Sequence, residues 1–164
     1  MKVFGFAGWS GSGKTTLLEA LIPRFVRAGL TVSLIKHADH SFDVDQPGKD
    51  SHRHREAGCK EVLVSSAKRW VVMHELRGEA EPGLAEQIKR VSPCDLLLIE
   101  GYKRYPMPKL EIYRADNRKP LLHPEDPHIV AIAADVPLET KLPRFDLSDY
   151  DRIAGFILAY NGFK

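Results

Sequence analysis

Gly8-Trp9-Ser10-Gly11-Ser12-Gly13-Lys14-Thr15-Thr16 fills every fixed position of G-x-x-x-x-G-K-[ST], the phosphate-binding P-loop. Gly8, Gly11 and Gly13 allow positive φ and leave no Cβ between backbone and phosphate. The loop amides then form an anion nest at the start of a helix, where the dipole also favours negative charge. Lys14 is placed to reach the terminal phosphates and the Thr15 hydroxyl to hold Mg²⁺. The flanks agree. Lys2 to Ala7 reads as a short buried strand, and Leu17, Leu18, Leu21, Ile22, Phe25 and Val26 recur at helical spacing. A dinucleotide fingerprint is excluded, because the third glycine position falls on Thr16. The stretch predicts nucleoside triphosphate binding through Gly8, Trp9, Ser10, Gly11, Ser12, Gly13, Lys14, Thr15 and Thr16.

Bulk properties set the frame. A chain of 164 residues is long enough for one domain with a full core, read here as a single P-loop domain over 1–164. A net charge of +2 with scattered basic residues gives no footprint for nucleic acid. No apolar run approaches membrane-spanning length, and no signal-peptide cleavage pattern precedes the P-loop. Cys59 and Cys94 read as reduced thiols, so the expected compartment is the cytoplasm.

Downstream, the first helix is expected over about Lys14 to Arg27, kinked by Pro23 and closed by Gly29. Leu30 to Ile35 reads as a second, parallel strand reached through that helix. Lys36, His37 and Asp39 follow it at the ligand-side strand ends. Asp50-Ser51 reads as a helix N-cap, and Asp50 is a candidate Mg²⁺ ligand together with Asp39. Glu61 to Ser65 and Trp70 to His74 read as a hairpin or two adjacent short strands, and Leu84, Ile88 and Val91 mark a short helix. Asp95-Leu-Leu-Leu-Ile-Glu100-Gly101 is an apolar strand ending in an acid, the place for a carboxylate that orients Mg²⁺ or water. Lys109 to Arg114 alternates as a strand, and Ile129 to Ala134 is a buried strand ending in Asp135. Asp135 is a candidate acceptor for a guanine edge, although no Asn-Lys-x-Asp box accompanies it. Ser148 is expected to cap a last helix. Arg53, Arg55 and Arg104 are candidate arginine fingers.

Taken together, these blocks resemble the MobB family of molybdopterin-guanine dinucleotide biosynthesis adaptors. The residues that carry the resemblance are Gly8–Thr16, Ile35-Lys-His-Ala-Asp39-His40-x-Phe-Asp43, Pro47-Gly-Lys-Asp50-Ser51 with Arg53, Ile99-Glu-Gly-Tyr-Lys103, Pro108-Lys109 and Tyr113-Arg114. The resemblance implies an α/β P-loop fold of three layers, with a mostly parallel twisted sheet flanked by helices. It further implies GTP as ligand with Mg²⁺, weak GTPase activity, a homodimer, and service to the guanylyltransferase that attaches GMP to molybdopterin. Lys14 and Glu100 would then be the catalytic pair, and Thr15, Asp50, Glu100 and Asp39 the metal candidates. Two other readings share the P-loop. One is an ATP-dependent kinase or ligase of the dethiobiotin synthetase type. The other is a metallochaperone-like GTPase using His37, His40, His52 and His54.

Overall fold

The computed structural model describes residues 1–38 and 42–163; Asp39 and His40, both named above, lie outside the described residues. The chain divides into two compact units, Met1–His37 with Gln87–Lys164, and Ala38–Glu86.

The first unit is built on a six-stranded sheet whose neighbouring strands all run parallel. Its strands are β1 (Lys2–Ala7), β2 (Val32–Lys36), β5 (Leu96–Glu100), β6 (Lys109–Tyr113), β7 (Ile129–Ala134) and β8 (Arg144–Asp146), in the order β2-β5-β1-β6-β7-β8. The helices that connect or follow them are α1 (Lys14–Arg27), α3 (Leu84–Arg90) and α4 (Tyr150–Tyr160). This is the α/β architecture of a P-loop protein. β1 lies between β5 and β6, so the loop that leaves its carboxyl end has a strand end on either side.

α1 forms where expected. Leu17, Leu18, Leu21 and Phe25 lie on one face and are buried, and the helix continues through Pro23 to Arg27. Gly29 takes φ +85° and closes the helix with Gly29 N–H donating to Val26 O and Leu30 N–H to Phe25 O. Those apolar residues pack with Phe4, Phe6, Leu96, Leu98, Leu110, Ile112 and α4's Ile153, Ala154 and Ile157 into the main core. Arg24 and Asp151 tie α1 to α4 at 2.7 Å. On the other face, Ile129, Ile132 and Ala134 are covered by Leu122, Leu138 and Leu142.

α4 starts one residue later than the sequence suggested. Its N-cap is Asp149, because the Ser148 hydroxyl is already donated to Asp146. β8 was not expected at all, since three residues with a single buried side chain, Phe145, leave no periodic trace.

The second unit holds α2 (Asp50–Glu56) and the antiparallel hairpin of β3 (Glu61–Ser65) and β4 (Trp70–His74). The N-cap of α2 is Lys49, and Asp50 is the first helical residue, a place where a carboxylate favours the helix dipole. Arg55 organises the unit: its guanidinium meets Asp43 at 2.7 Å, Asp45 at 3.1 Å and Glu75 at 2.6 Å. These bonds hold the Asp43 and Asp45 carboxyls below the usual carboxylate range. For Asp43 the Asp45 N–H contributes most, followed by Arg55. At Asp45, partial burial pushes upward but is outweighed by bonds from Ser51, the Gln46 N–H and Arg55.

Candidate functional site

The P-loop glycines have different reasons to be glycine. Gly11 and Gly13 stand at φ +77° and +94°, as expected. Gly8 does not have positive φ; its constraint is steric. A Cβ there would lie 2.6 Å from the Ile112 carbonyl and 2.5 Å from Ser12 Oγ, so no side chain fits. Gly13 caps α1, and the first turn of that helix contains no acid of its own, so no carboxylate within that turn competes for its N–H groups. Lys14 arches back over the loop, its ammonium donating to Gly8 O at 2.9 Å and Trp9 O at 3.0 Å. A lysine held over a ring of amides is the donor set a polyphosphate needs.

β5 supplies the second half of the site. Its five residues are all buried, and Glu100 ends the strand at 5% exposure. The Thr15 hydroxyl donates to Glu100 Oε1 at 3.2 Å, so two of the four predicted metal ligands are brought together. Lys36, which ends β2 directly opposite Glu100, places Nζ 3.4 Å from the same carboxylate and 3.5 Å from Thr15 Oγ1. One hydroxyl and one carboxylate are hard oxygen donors that suit Mg²⁺, which commonly takes its remaining ligands from phosphate and water. Asp50 belongs to the second unit, where Arg53 lies 3.9 Å from it, and among the described residues no group of three or more His, Cys, Asp or Glu forms a metal cluster.

Three contacts fasten the P-loop from the segment after β6. Arg114 Nε donates to Ser12 O at 3.2 Å, Asn117 Nδ2 donates to Ser10 O at 3.2 Å, and Trp9 Nε1 donates to Pro120 O at 2.8 Å. The guanidinium of Arg114 lies so close to Gly13 that a Cβ there would be 3.3 Å from Nε. Lys103 Nζ sits 4.0 Å above the Trp9 ring. The fastening segment is itself anchored from beneath. Buried Glu111 accepts from Leu122 N–H at 2.6 Å and His123 N–H at 3.0 Å. Buried Lys109 does the same for the segment after β5, donating to Lys103 O, Tyr105 O and Asp126. That bond helps hold the Asp126 carboxyl below its ordinary range despite the upward push of burial.

Of the three arginines proposed as fingers, Arg55 is engaged by Asp43, Asp45 and Glu75 within the second unit, so its charge is already balanced. Arg53 lies 3.9 Å from Asp50 in the same unit, and among the described residues the arginine hydrogen-bonded to the P-loop is Arg114, to which the sequence pattern gives no role. Asp135 directly follows β7, as expected, and accepts the Ala115 N–H at 3.0 Å. It shares an open pocket of about 270 Å³ with Ala134, Val136, Pro137, Arg144 and Phe145 at the carboxyl ends of β7 and β8.

The family model described as molybdopterin guanine dinucleotide synthesis protein B matches residues 3–135. The chain is similar to the molybdopterin-guanine dinucleotide biosynthesis adapter protein of Escherichia coli K12, 39% identical over 161 residues, 96% of this chain and 92% of that protein. The corresponding adapter protein of Haemophilus influenzae is 42% identical over 157 residues, 94% of this chain and 86% of the other. Among solved structures, Bacillus subtilis MobB superposes with a TM-score of 0.78 at 24% identity, covering 97% of each chain. A second, a crystal structure of molybdopterin-guanine biosynthesis protein B, gives 0.77 at 24% identity, covering 97% and 98%.

Proposed function

Since the chain belongs to the MobB family of molybdopterin guanine dinucleotide synthesis proteins, we propose that it binds GTP with Mg²⁺, hydrolyses it slowly, and acts as a dimeric accessory protein to the guanylyltransferase acting on molybdopterin. Its role is in molybdenum cofactor biosynthesis, as an adapter alongside the biosynthetic enzymes. The observation that carries the nucleotide reading is the meeting of P-loop and strand end: Thr15 Oγ1 within 3.2 Å of the buried Glu100 carboxylate, at the mouth of a nest topped by Lys14.

Mg²⁺ would be held by Thr15, with Glu100 directly or through water, and would neutralise charge on the transferring phosphate. Lys14 would leave the Gly8 and Trp9 carbonyls for phosphate oxygens. Slow turnover fits the engagement of Arg55 by carboxylates and of Arg114 by a loop carbonyl. Base choice falls to the pocket at the ends of β7 and β8. There Asp135 offers a carboxylate, which suits the paired N–H donors of guanine and not the edge of adenine.

A homodimer is supported by the hairpin. Leu63 and Val72 are register partners and share a face with Trp70, and all three are exposed, Trp70 at 67%. A two-stranded sheet also leaves an unpaired edge on each strand. Among the described residues no helix is long and apolar enough to cross a membrane, and we place the protein in the cytoplasm with the enzyme it would serve.

Calorimetric titration with GTP and ATP, each with Mg²⁺, tests the central reading. The wild type should prefer GTP, and Lys14→Ala should weaken binding by about a hundredfold or more, as expected for losing a charged phosphate donor. A preference for ATP would turn the assignment towards a kinase or ligase, and no binding of either would end it.

A further inference from the structure

Lys36 supplies an ion pair to Glu100. Lys14 is folded onto the carbonyls of Gly8 and Trp9, whereas Lys36 faces the carboxylate. The placement follows from strand register. β2 and β5 are parallel neighbours with Lys36 opposite Glu100, so both side chains leave the sheet on one face, at the strand ends beside the P-loop. Thr15 Oγ1, Glu100 Oε1 and Lys36 Nζ then form a triangle with sides of 3.2, 3.4 and 3.5 Å.

Two features of this triangle matter. The Glu100 side chain is 7% exposed, and a carboxylate so withdrawn from water needs a counter-charge. Lys36 supplies it, yet its ammonium is farther away than the ~2.8 Å of a tight charge-assisted bond. It also touches the same two oxygens that a Mg²⁺ ion would draw in to about 2.1 Å. The Lys36 side chain is half exposed on a flexible stem, so it can leave without disturbing the core.

We propose that Lys36 is a resident counter-ion that occupies the metal position of the nucleotide-free protein, so that the divalent ion enters only in company with nucleotide. This rests on the reading of Thr15 and Glu100 as the metal end of the GTP site. A free divalent ion would have to displace the ammonium and offer it no new anion. Metal bound to a nucleoside triphosphate brings phosphate oxygens with it. Lys36 would exchange Glu100 for a phosphate oxygen as the metal came to the carboxylate, so neither the ammonium nor the carboxylate would be left without a counter-charge. Loading is therefore ordered, and Lys36 is also a phosphate ligand of the loaded state.

The test uses Mn²⁺ alone on nucleotide-free protein, with unbound Mn²⁺ read by its paramagnetic resonance signal. Wild type and Lys36→Arg, which keeps the charge, should leave Mn²⁺ free. Lys36→Met should bind Mn²⁺ at least about tenfold more tightly than wild type, and adding Glu100→Gln should remove that gain. Equal Mn²⁺ affinity in wild type and Lys36→Met overturns the proposal, as does a gain that survives Glu100→Gln. The nucleotide reading is judged separately, by GTP titration of wild type. GTP binding without the Mn²⁺ gain would leave the site standing and remove the counter-ion role. The Mn²⁺ gain without GTP binding would do the reverse.

Discussion

β5 and the β3–β4 hairpin contain similar side chains and have opposite fates. Leu96, Leu97, Leu98 and Ile99 are all fully buried, whereas Leu63, Val64, Trp70, Val71 and Val72 are all exposed. Both stretches have high strand propensity, so local preference does not separate them. The difference is what the chain supplies as cover. A parallel strand flanked by two others and packed by helices is buried on both faces. A two-stranded sheet is marginal in water by itself and needs a layer from elsewhere. The first unit is therefore held by its core, and the second by polar contacts: ion pairs of Arg55 with Asp43, Asp45 and Glu75 and of Lys60 with Glu79, and a hydrogen bond between His74 and Glu61.

The largest effect that comparison predicts lies in the core of the first unit. Phe4 is fully buried, edge-on to Phe6 at 5.8 Å and to Tyr160 at 5.9 Å. Phe4→Ala should cost about 3–5 kcal/mol in denaturant titration. A loss under 1 kcal/mol would mean that the sheet is not the stabilising body of the chain.

The same contrast explains what could be read in the sequence. The P-loop and α1 were legible because fixed spacing and helical period are local properties: Lys14–Arg27 and the closing Gly29 fall where the pattern puts them. β5 was legible because four large apolar residues in a row admit few alternatives. Lys109 and Glu111 were not, since charged residues alternating with Leu110 and Ile112 resemble a strand with one wet face. Both are buried, and each anchors a segment that borders the P-loop. Arg114 and Asn117 reach carbonyls of residues about a hundred positions earlier, and no spacing rule links such partners. Arg55 reads as a candidate arginine finger because no local spacing ties it to the carboxylates that engage it, Asp43 and Asp45 in one loop before it and Glu75 after the hairpin strand β4.

A smaller, local effect should appear in the second unit on acidification. The Asp43 and Asp45 pKa values are lowered below the ordinary 3.8. Groups with depressed folded values contribute fully above the unfolded value, and the contribution is lost as pH falls through the folded one. Protection of the α2 amides, corrected for the slower intrinsic exchange in acid, should therefore fall as pH drops below about 4, while amides of β5, beneath the core, stay protected. Arg55→Met removes the common partner, so α2 should exchange faster already at neutral pH and show a weaker response to acid. Uniform loosening of α2 and β5 would contradict the division between charge-held and core-held units.

The smallest effect on the fold of the single chain is expected where the apolar surface looks most conspicuous. Leu63 and Trp70 are exposed at 62% and 67%, so replacing both with serine removes little buried area and should change the stability of the monomer by no more than about 0.5 kcal/mol. If a second copy covers this face, the same variant loses apolar area at the interface and gains desolvated hydroxyls, both of which oppose association. Sedimentation should then show a dimer for wild type and a monomer for the variant, with GTP affinity unchanged because the P-loop unit is untouched. A variant that remains dimeric would place the interface on another surface. A variant that is monomeric but unstable would mean that the hairpin is already covered within its own chain, and the comparison between the two regions would fail at its root.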